Sequence, residues 1–247
     1  MLLKLEDPSK AEALFSGMED TLIRSCLEKV MGTVYVTDQK RPKSAMAVLA
    51  DFAFCAGEPD RALLREKPEG FLILTPQNER WAKLIEACFP DAERWTRYAI
   101  KKDTRFERKT LNALVAALPE GYTLQRIDGA LYDLCLANDL FEDCVKHFGS
   151  KEAYLAQGRG FAVLKDGALV SAASSYTVYR EGIEIEVDTV EAERRKGLAS
   201  AVSAALILSC LDDGLYPSWD AANTDSVRLA EKLGYEFDRA YDCYAVS

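Results

Sequence analysis

The chain has 247 residues, 49% of them hydrophobic and 29% charged, with a net charge of −9. That composition is the one of a folded, soluble protein, and the acidic balance argues against nonspecific nucleic-acid binding, which rests on neutralising phosphates with Lys and Arg. Seven cysteines, odd in number and without a CxxC pair, point to reduced thiols in a cytoplasmic protein, and the single histidine excludes a multi-His metal site within the chain.

That histidine, His147, is expected to be a solvated or capping residue, and a cationic or neutral substrate fits the charge better than an anionic one. No targeting segment is evident at the N-terminus. The longest apolar-rich run, Leu198 to Leu211, is shorter than the ~20 residues that cross a bilayer, so no membrane association is expected.

From the N-terminus, Ser9 to Glu12 reads as a capping box opening a short helix that Gly17 ends, and an amphipathic helix follows from Glu19 to about Met31. Apolar or alternating runs at Thr33 to Thr37, Ala45 to Cys55 and Phe71 to Thr75 read as strands. Asn78 caps a helix through Cys88, Arg94 to Ile100 returns to a strand pattern, and a helix runs from Glu107 to about Leu118. Pro119-Glu120-Gly121 is a turn and the expected boundary, which makes residues 1–118 a smaller α/β domain and 119–247 a second domain.

In the second half, Leu124 to Ile127 reads as a strand, Ala130 to Asn138 and about Glu142 to Phe148 as helices, and Phe161 to Lys165 as a strand. Asp166-Gly167 is a two-residue hairpin signal into Ala168 to Tyr179. Arg180-Glu181-Gly182 then turns the chain into Glu184-Ile185-Glu186-Val187-Asp188-Thr189, where β-branched apolar residues alternate with acids as in a half-buried strand. After Val190 to Glu193 comes Arg194-Arg195-Lys196-Gly197-Leu198-Ala199-Ser200, opening a helix to about Leu211. Gly197 and Ala199 carry little or no side chain, so N–H groups at this helix start can approach a diphosphate, and three cations stand beside them. Farther on, Asn223 is a good N-cap, Val227, Ala230 and Leu233 recur at helical spacing, and Gly234 stops the helix before a last alternating strand, Ala240 to Val246.

The spacing RxxGxA at Arg194, Gly197 and Ala199, followed by a short strand, Asn223, a helix and Gly234-Tyr235, resembles the acyl-coenzyme A signature of the GNAT N-acetyltransferase superfamily. A looser likeness is to its longer-chain subgroup that includes zwittermicin-resistance-like acetyltransferases. The resemblance implies a mixed α/β fold with a largely antiparallel sheet in the C-terminal half. It also implies transfer of an acetyl group from acetyl-CoA to an amine of a small molecule by direct attack on the thioester. Cofactor contacts carried over from the family are the backbone of Val187, Asp188, Thr189 and Val190 along the pantetheine arm, and the N–H groups of Arg195 through Ser200, Leu198 and Ala199 included, around the pyrophosphate. The side chains of Arg194, Arg195 and Lys196 add charge, and Asn223 and Ser226 complete the set. The N-terminal half lacks RxxGxA and is expected either to extend the substrate pocket or to be a degenerate second copy.

An alkylamine has a pKa near ~10 and is almost wholly protonated at neutral pH, so a base is required. Glu184, Glu186 and Asp188 share a strand face, and family members often place a catalytic Glu on this strand, so Glu184 is the first candidate and Glu186 the second. Many relatives carry a Tyr seven residues after the Asn as general acid; here that position is Ala230. This departure supports a second reading, a noncatalytic acyl-CoA binding or sensing module. Glu191 and Arg195 also stand where many relatives have Pro and Gly. Homodimerisation is common in the family, and nothing in the sequence requires it.

Overall fold

The computed structural model describes residues 2–247. The chain forms two compact units, one holding the described residues up to Arg97 together with Ala240–Ser247, the other Tyr98–Arg239. The turn at Pro119-Glu120-Gly121 therefore lies inside the second unit, and the C-terminal strand belongs to the first.

In the first unit, β1 (Leu3–Lys4), a 3-10 segment (Pro8–Phe15) and α1 (Thr21–Leu27) precede an antiparallel meander of β2 (Thr33–Val36), β3 (Ser44–Leu49) and β4 (Phe52–Gly57). The expected capping box is not made, because Ser9 Oγ bonds Asp7 Oδ1 instead. The helix expected to reach Met31 stops at Leu27, and Lys29 then takes a left-handed φ of 59°. Ala45 to Cys55, expected as one strand, is a hairpin that reverses at Ala50, whose φ is 53°. No glycine announces that turn, which is why the run read as continuous. The short helix α2 (Arg61–Arg65) returns the chain to β5 (Leu72–Pro76), parallel to β4, and α3 (Glu79–Cys88), capped by Asn78, leads to β6 (Glu93–Ile100). Trp81, Leu63, Leu64 and Ile85 of the two helices pack on Met46, Cys55 and Leu74 of the sheet.

In the second unit, α4 (Arg108–Ala116), β7 (Tyr122–Arg126) and α5 (Gly129–Leu136) are followed by two 3-10 turns, Glu142–Cys144 and Lys146–Phe148. One α-helix was expected there. Ser150 then caps α6 (Lys151–Gln157). The strands β8 (Gly160–Lys165), β9 (Ala168–Tyr179) and β10 (Gly182–Thr189) form an antiparallel meander, with Asp166 and Gly167 at φ 50° and 79° in the β8–β9 turn. The helix α7 (Leu198–Asp212) crosses to β11 (Tyr216–Ser218), parallel to β10, and the strand order is β11-β10-β9-β8-β7. A polar outer face is absent from α7 because it packs between α4 and β8, β9 and β10. The chain closes through β12 (Asp220–Ala221), α8 (Thr224–Leu233) and β13 (Phe237–Val246).

Both units thus share an element order: a three-stranded meander, a helix, a strand parallel to the third, and a further helix and strand. Each gives the end of that last strand to the other. Residues Tyr98 and Ala99 of β6 pair with β12 in the second unit, and Tyr244 to Val246 of β13 pair with β5 in the first.

Candidate active site

The parallel pairing of β10 with β11 is short. Gly182, Ile183 and Glu184 pair with Tyr216, Pro217 and Ser218, after which β11 ends while β10 continues to Thr189. The pairing of β10 with β9 also shifts register between Glu184 and Ile185, a bulge that increases local twist. A cleft of about 430 Å³ opens beyond this point, with Val187 to Thr189 on one wall and Asn223, Ser226 and Leu229 of the α8 segment on the other.

The base of the cleft is the start of α7. Gly197 is the N-cap with φ 84°, Arg195 also lies in the left-handed region at φ 61°, and no side chain caps the helix. Its first intrahelical bond is Ala201 N–H to Gly197 C=O at 3.0 Å, so the N–H groups of Leu198, Ala199 and Ser200 precede the ladder at the positive end of the helix dipole. A methyl on Gly197 would meet no atom within 4 Å, so its φ, rather than crowding, is what calls for glycine. These groups and the volume above them suit a diphosphate.

The cations beside the loop are not equally disposed. Arg194 donates from Nε to the Thr189 carbonyl at 3.2 Å, and Arg195 is exposed. Lys196 Nζ is 2.6 Å from Glu193, which also accepts from Lys165 at 3.0 Å and from the Tyr122 hydroxyl. These partners, Lys196 first, hold the Glu193 carboxyl down at about 2. Lys196 was expected to face the diphosphate, and in the structure Glu193 holds its ammonium. Asn223 accepts the Ser226 N–H at 2.9 Å as the α8 N-cap, and Ser226 Oγ accepts the Trp219 indole N–H at 3.1 Å, so both side chains brace the cleft wall.

On β10, Asp188 pairs with Ala172 of β9, and cross-strand partners share a face. Ala172 packs with Phe141 and Cys144 of the segment before α6, so that segment covers the Asp188 face. Burial, then the neighbouring Asp143 charge, pushes the Asp188 carboxyl up to about 6. The His147 imidazole and the Lys146 ammonium hold Asp143 down at about 2.

A sequence model described as GNAT acetyltransferase matches residues 12–244, crossing both units. The chain belongs to the GNAT acetyltransferase family. Among curated proteins, the N-acetyltransferase YdfB of Bacillus subtilis (strain 168), described there as uncharacterized, is 28% identical over 240 residues, 91% of this chain and 89% of that protein. The crystal structure of a GCN5-related N-acetyltransferase-like protein from Streptococcus suis 89/1591 is 46% identical, with a TM-score of 0.92 over 97% of this chain and 98% of that one. A tandem GNAT protein from the clavulanic acid biosynthesis pathway shares the fold at 14% identity, with a TM-score of 0.57 over 100% of this chain and 98% of its own. This GNAT protein is an acyltransferase, and its two largely antiparallel sheets match the fold of those relatives.

For a GNAT acetyltransferase, the position of a general acid on α8 is informative. Ala230 is fully buried there. Tyr235 is buried as well, with its hydroxyl donated to the Pro217 carbonyl at 2.5 Å and its phenol pushed well above the usual range by burial. Tyr244 donates to Glu86 in the first unit at 2.8 Å. Among the expected bases, Glu184 is 6% exposed at the last position of β10 paired with β11, and Glu186 Oε1 accepts the Val187 N–H at 3.2 Å. Sequence reading overlooked the Asp143–His147 pair. Its i,i+4 spacing and the uniqueness of His147 were the available signals, but only the fold sets the pair against β9 and β10.

Asp188 titrates near 6 in the folded chain against an ordinary value of 3.8. As pH rises between these values, the unfolded chain ionises first, so Asp188 costs stability, in full above its folded pKa. After allowance for partial exposure, Asp188→Asn is expected to raise the unfolding free energy by about 1–2 kcal/mol at about pH 8. The gain should disappear below the ordinary carboxylate pKa. Urea unfolding at the two pH values measures this.

Proposed function

We propose that this protein transfers the acetyl group of acetyl-CoA to the amine of a small molecule by direct attack on the thioester. The observation that carries the reading is the uncapped, left-handed entry to α7 at Arg195 and Gly197, set where β10 outruns β11. The amides of Leu198 to Ser200 bind the diphosphate, and the free edge of Val187 to Val190 holds the pantetheine arm. When bound, acetyl-CoA supplies a thioester whose C–S bond breaks as the C–N bond forms. The chain's part is to position the amine, take one proton from its ammonium form and exclude water. Glu184, and after it Glu186, is the proposed base. A coenzyme A thiol, resembling the Cys side chain with its pKa of about 8.5, leaves without a Tyr on α8.

In this reading the first unit is a GNAT-like half that does not bind the cofactor. Its counterpart of α7 is α2, whose N-terminus is filled by the Asp60 carboxylate, which accepts the Ala62 N–H at 2.8 Å and the Thr37 hydroxyl at 2.7 Å. An anion cannot enter where a carboxylate already sits. The seven free cysteines fit a reducing, cytoplasmic setting.

Two measurements test the reading. Acetyl-CoA at ~100 times its Kd should stabilise the protein by about 2.7 kcal/mol in thermal unfolding. Free thiol should then be released over a panel of amines, with one acetyl-CoA bound per chain. Binding without turnover on any amine would point instead to an acyl-CoA sensor.

A further inference from the structure

We propose that Glu193, gripped by Tyr122 and Lys165 at the edge of the sheet, is a positioning residue that clamps the loop from Val190 to Gly197 in its diphosphate-binding conformation; this rests on the acetyl-transfer reading above. The need for a clamp lies in the backbone. Arg195 has φ 61° and Gly197 φ 84°, so two of three consecutive residues take the left-handed region, and only the second is glycine. A residue with a Cβ adopts that region at a cost and persists there where its surroundings hold it. No proline stands between Val190 and Gly197 to fix a dihedral. The loop backbone supplies a 3-10 turn at Glu191–Glu193, with the Glu193 N–H on the Val190 carbonyl at 2.8 Å and the Arg194 N–H on the Glu191 carbonyl at 3.2 Å. That turn ends before Arg195, so its left-handed φ calls for another support.

Glu193 supplies it. Its side chain is 13% exposed, and both carboxylate oxygens are engaged. Oε1 meets the Lys165 ammonium at 3.0 Å, and Oε2 meets the Lys196 ammonium at 2.6 Å and accepts the Tyr122 hydroxyl. Tyr122 and Lys165 are a cross-strand pair, the first residue of β7 opposite the last of β8, and the Lys165 ammonium lies 5.4 Å from the centre of the Tyr122 ring. The two partners therefore hold one another as well as Glu193, and they tie the loop to strands 71 and 28 residues away in the chain. Glu193 and Lys196 also bracket Arg195, so their contact spans the left-handed residue directly. Hydrogen bonds to a charged acceptor are the stronger kind. Glu193 borders the cleft with Arg194, Arg195 and Gly197, where a bare carboxylate would oppose a diphosphate. Here two ammonium groups outnumber it, so the cluster fixes the backbone and stays net positive. Acetyl-CoA binds the clamped loop, and its apparent Kd is the intrinsic one divided by the clamped fraction.

The test uses the full chain and Tyr122→Phe, which removes one donor to Glu193, leaves every charge in place and keeps the ring beside Lys165. Without ligand, hydrogen exchange of the loop amides should quicken at least about fivefold. Loss of one charge-assisted hydrogen bond lowers the clamped-to-open ratio by about 10- to 100-fold. Calorimetry should then show acetyl-CoA binding weakened by about 3- to 30-fold, the smaller factor because the wild-type ratio starts above one. The KM for acetyl-CoA should rise with it while kcat stays unchanged. Arg195→Gly gives the cross-check. In wild type it removes a cation from a loop already held, so affinity falls; in Tyr122→Phe it also removes the backbone cost that the lost bond had offset. The double variant should therefore bind at least about threefold better than the product of the two single effects. The proposal is overturned if Tyr122→Phe leaves loop exchange or acetyl-CoA affinity within about twofold of wild type, or if the two substitutions simply multiply. Faster loop exchange in the variant, with acetyl-CoA bound by neither protein, keeps the clamp and sinks the acetyl-transfer reading. Unchanged exchange with tight acetyl-CoA binding by both does the reverse.

Discussion

Ala199→Asp is expected to weaken acetyl-CoA binding at least about 100-fold while leaving the fold intact. Ala199 is the second residue of α7, within the turn whose N–H groups precede the hydrogen-bonded ladder. A carboxylate there meets the positive end of the helix dipole and stabilises the free helix by about 0.3–1 kcal/mol. The same carboxylate stands where the diphosphate must lie. Two like charges at about 4 Å repel by about 4 kcal/mol at an effective dielectric near 20, roughly 1000-fold in affinity before salt screens it. Unliganded melting should therefore be unchanged or slightly raised, with the acetyl-CoA-induced shift lost. Asp60 at the start of α2 is the natural version of this change, so the wild-type protein should bind one acetyl-CoA rather than two. Affinity within about threefold of wild type would remove the cradle from the mechanism.

Glu184→Gln is expected to lower kcat by about 10²- to 10⁴-fold, the range for loss of a general base, with the KM for acetyl-CoA unchanged. Glu184 is the last residue of β10 that pairs with β11, opposite Ser218, and the cleft begins beyond it. Ser218 Oγ accepts from the Lys102 ammonium at 2.7 Å, so the substitution is made beside a fixed cation and conserves shape while removing charge. Stopped assays with saturating acetyl-CoA separate the base from the cofactor contacts. Glu186→Gln is the comparison, because its carboxylate accepts the Val187 N–H and is half-buried on the same strand. If it abolishes turnover and Glu184→Gln does not, the roles of the two residues are exchanged.

Much of the local structure was legible because its signals are local. Asn78 and Asn223 cap the helices assigned to them, Asp166-Gly167 makes the tight hairpin, and Gly197 and Gly234 take the left-handed conformations that open α7 and close α8. Each depends on dihedral preferences and hydrogen bonds within about four residues, which a sequence carries directly. The left-handed entry to α7 was legible for the same reason, being a backbone conformation written into one short stretch.

What spans longer distances was not. Ala50 adopts a left-handed turn that its residue type does not announce, and the Glu142 to Phe148 segment winds as two 3-10 turns with the hydrophobic pattern of a helix. The division between units follows the pairing of β13 with β5, residues far apart in the chain, rather than the turn at Pro119. The charges show the limit most plainly. Lys196 is held by Glu193, which Lys165 also meets, and the titration of Asp188 is set by burial and then by Asp143, because electrostatic energy depends on distance and solvent access, and neither is a property of residue order. The sequence by itself determined the family signature, the left-handed entry to α7 and the caps of α3 and α8. Only the tertiary structure decided which charges are already satisfied, because that depends on distances and burial between residues far apart in the chain.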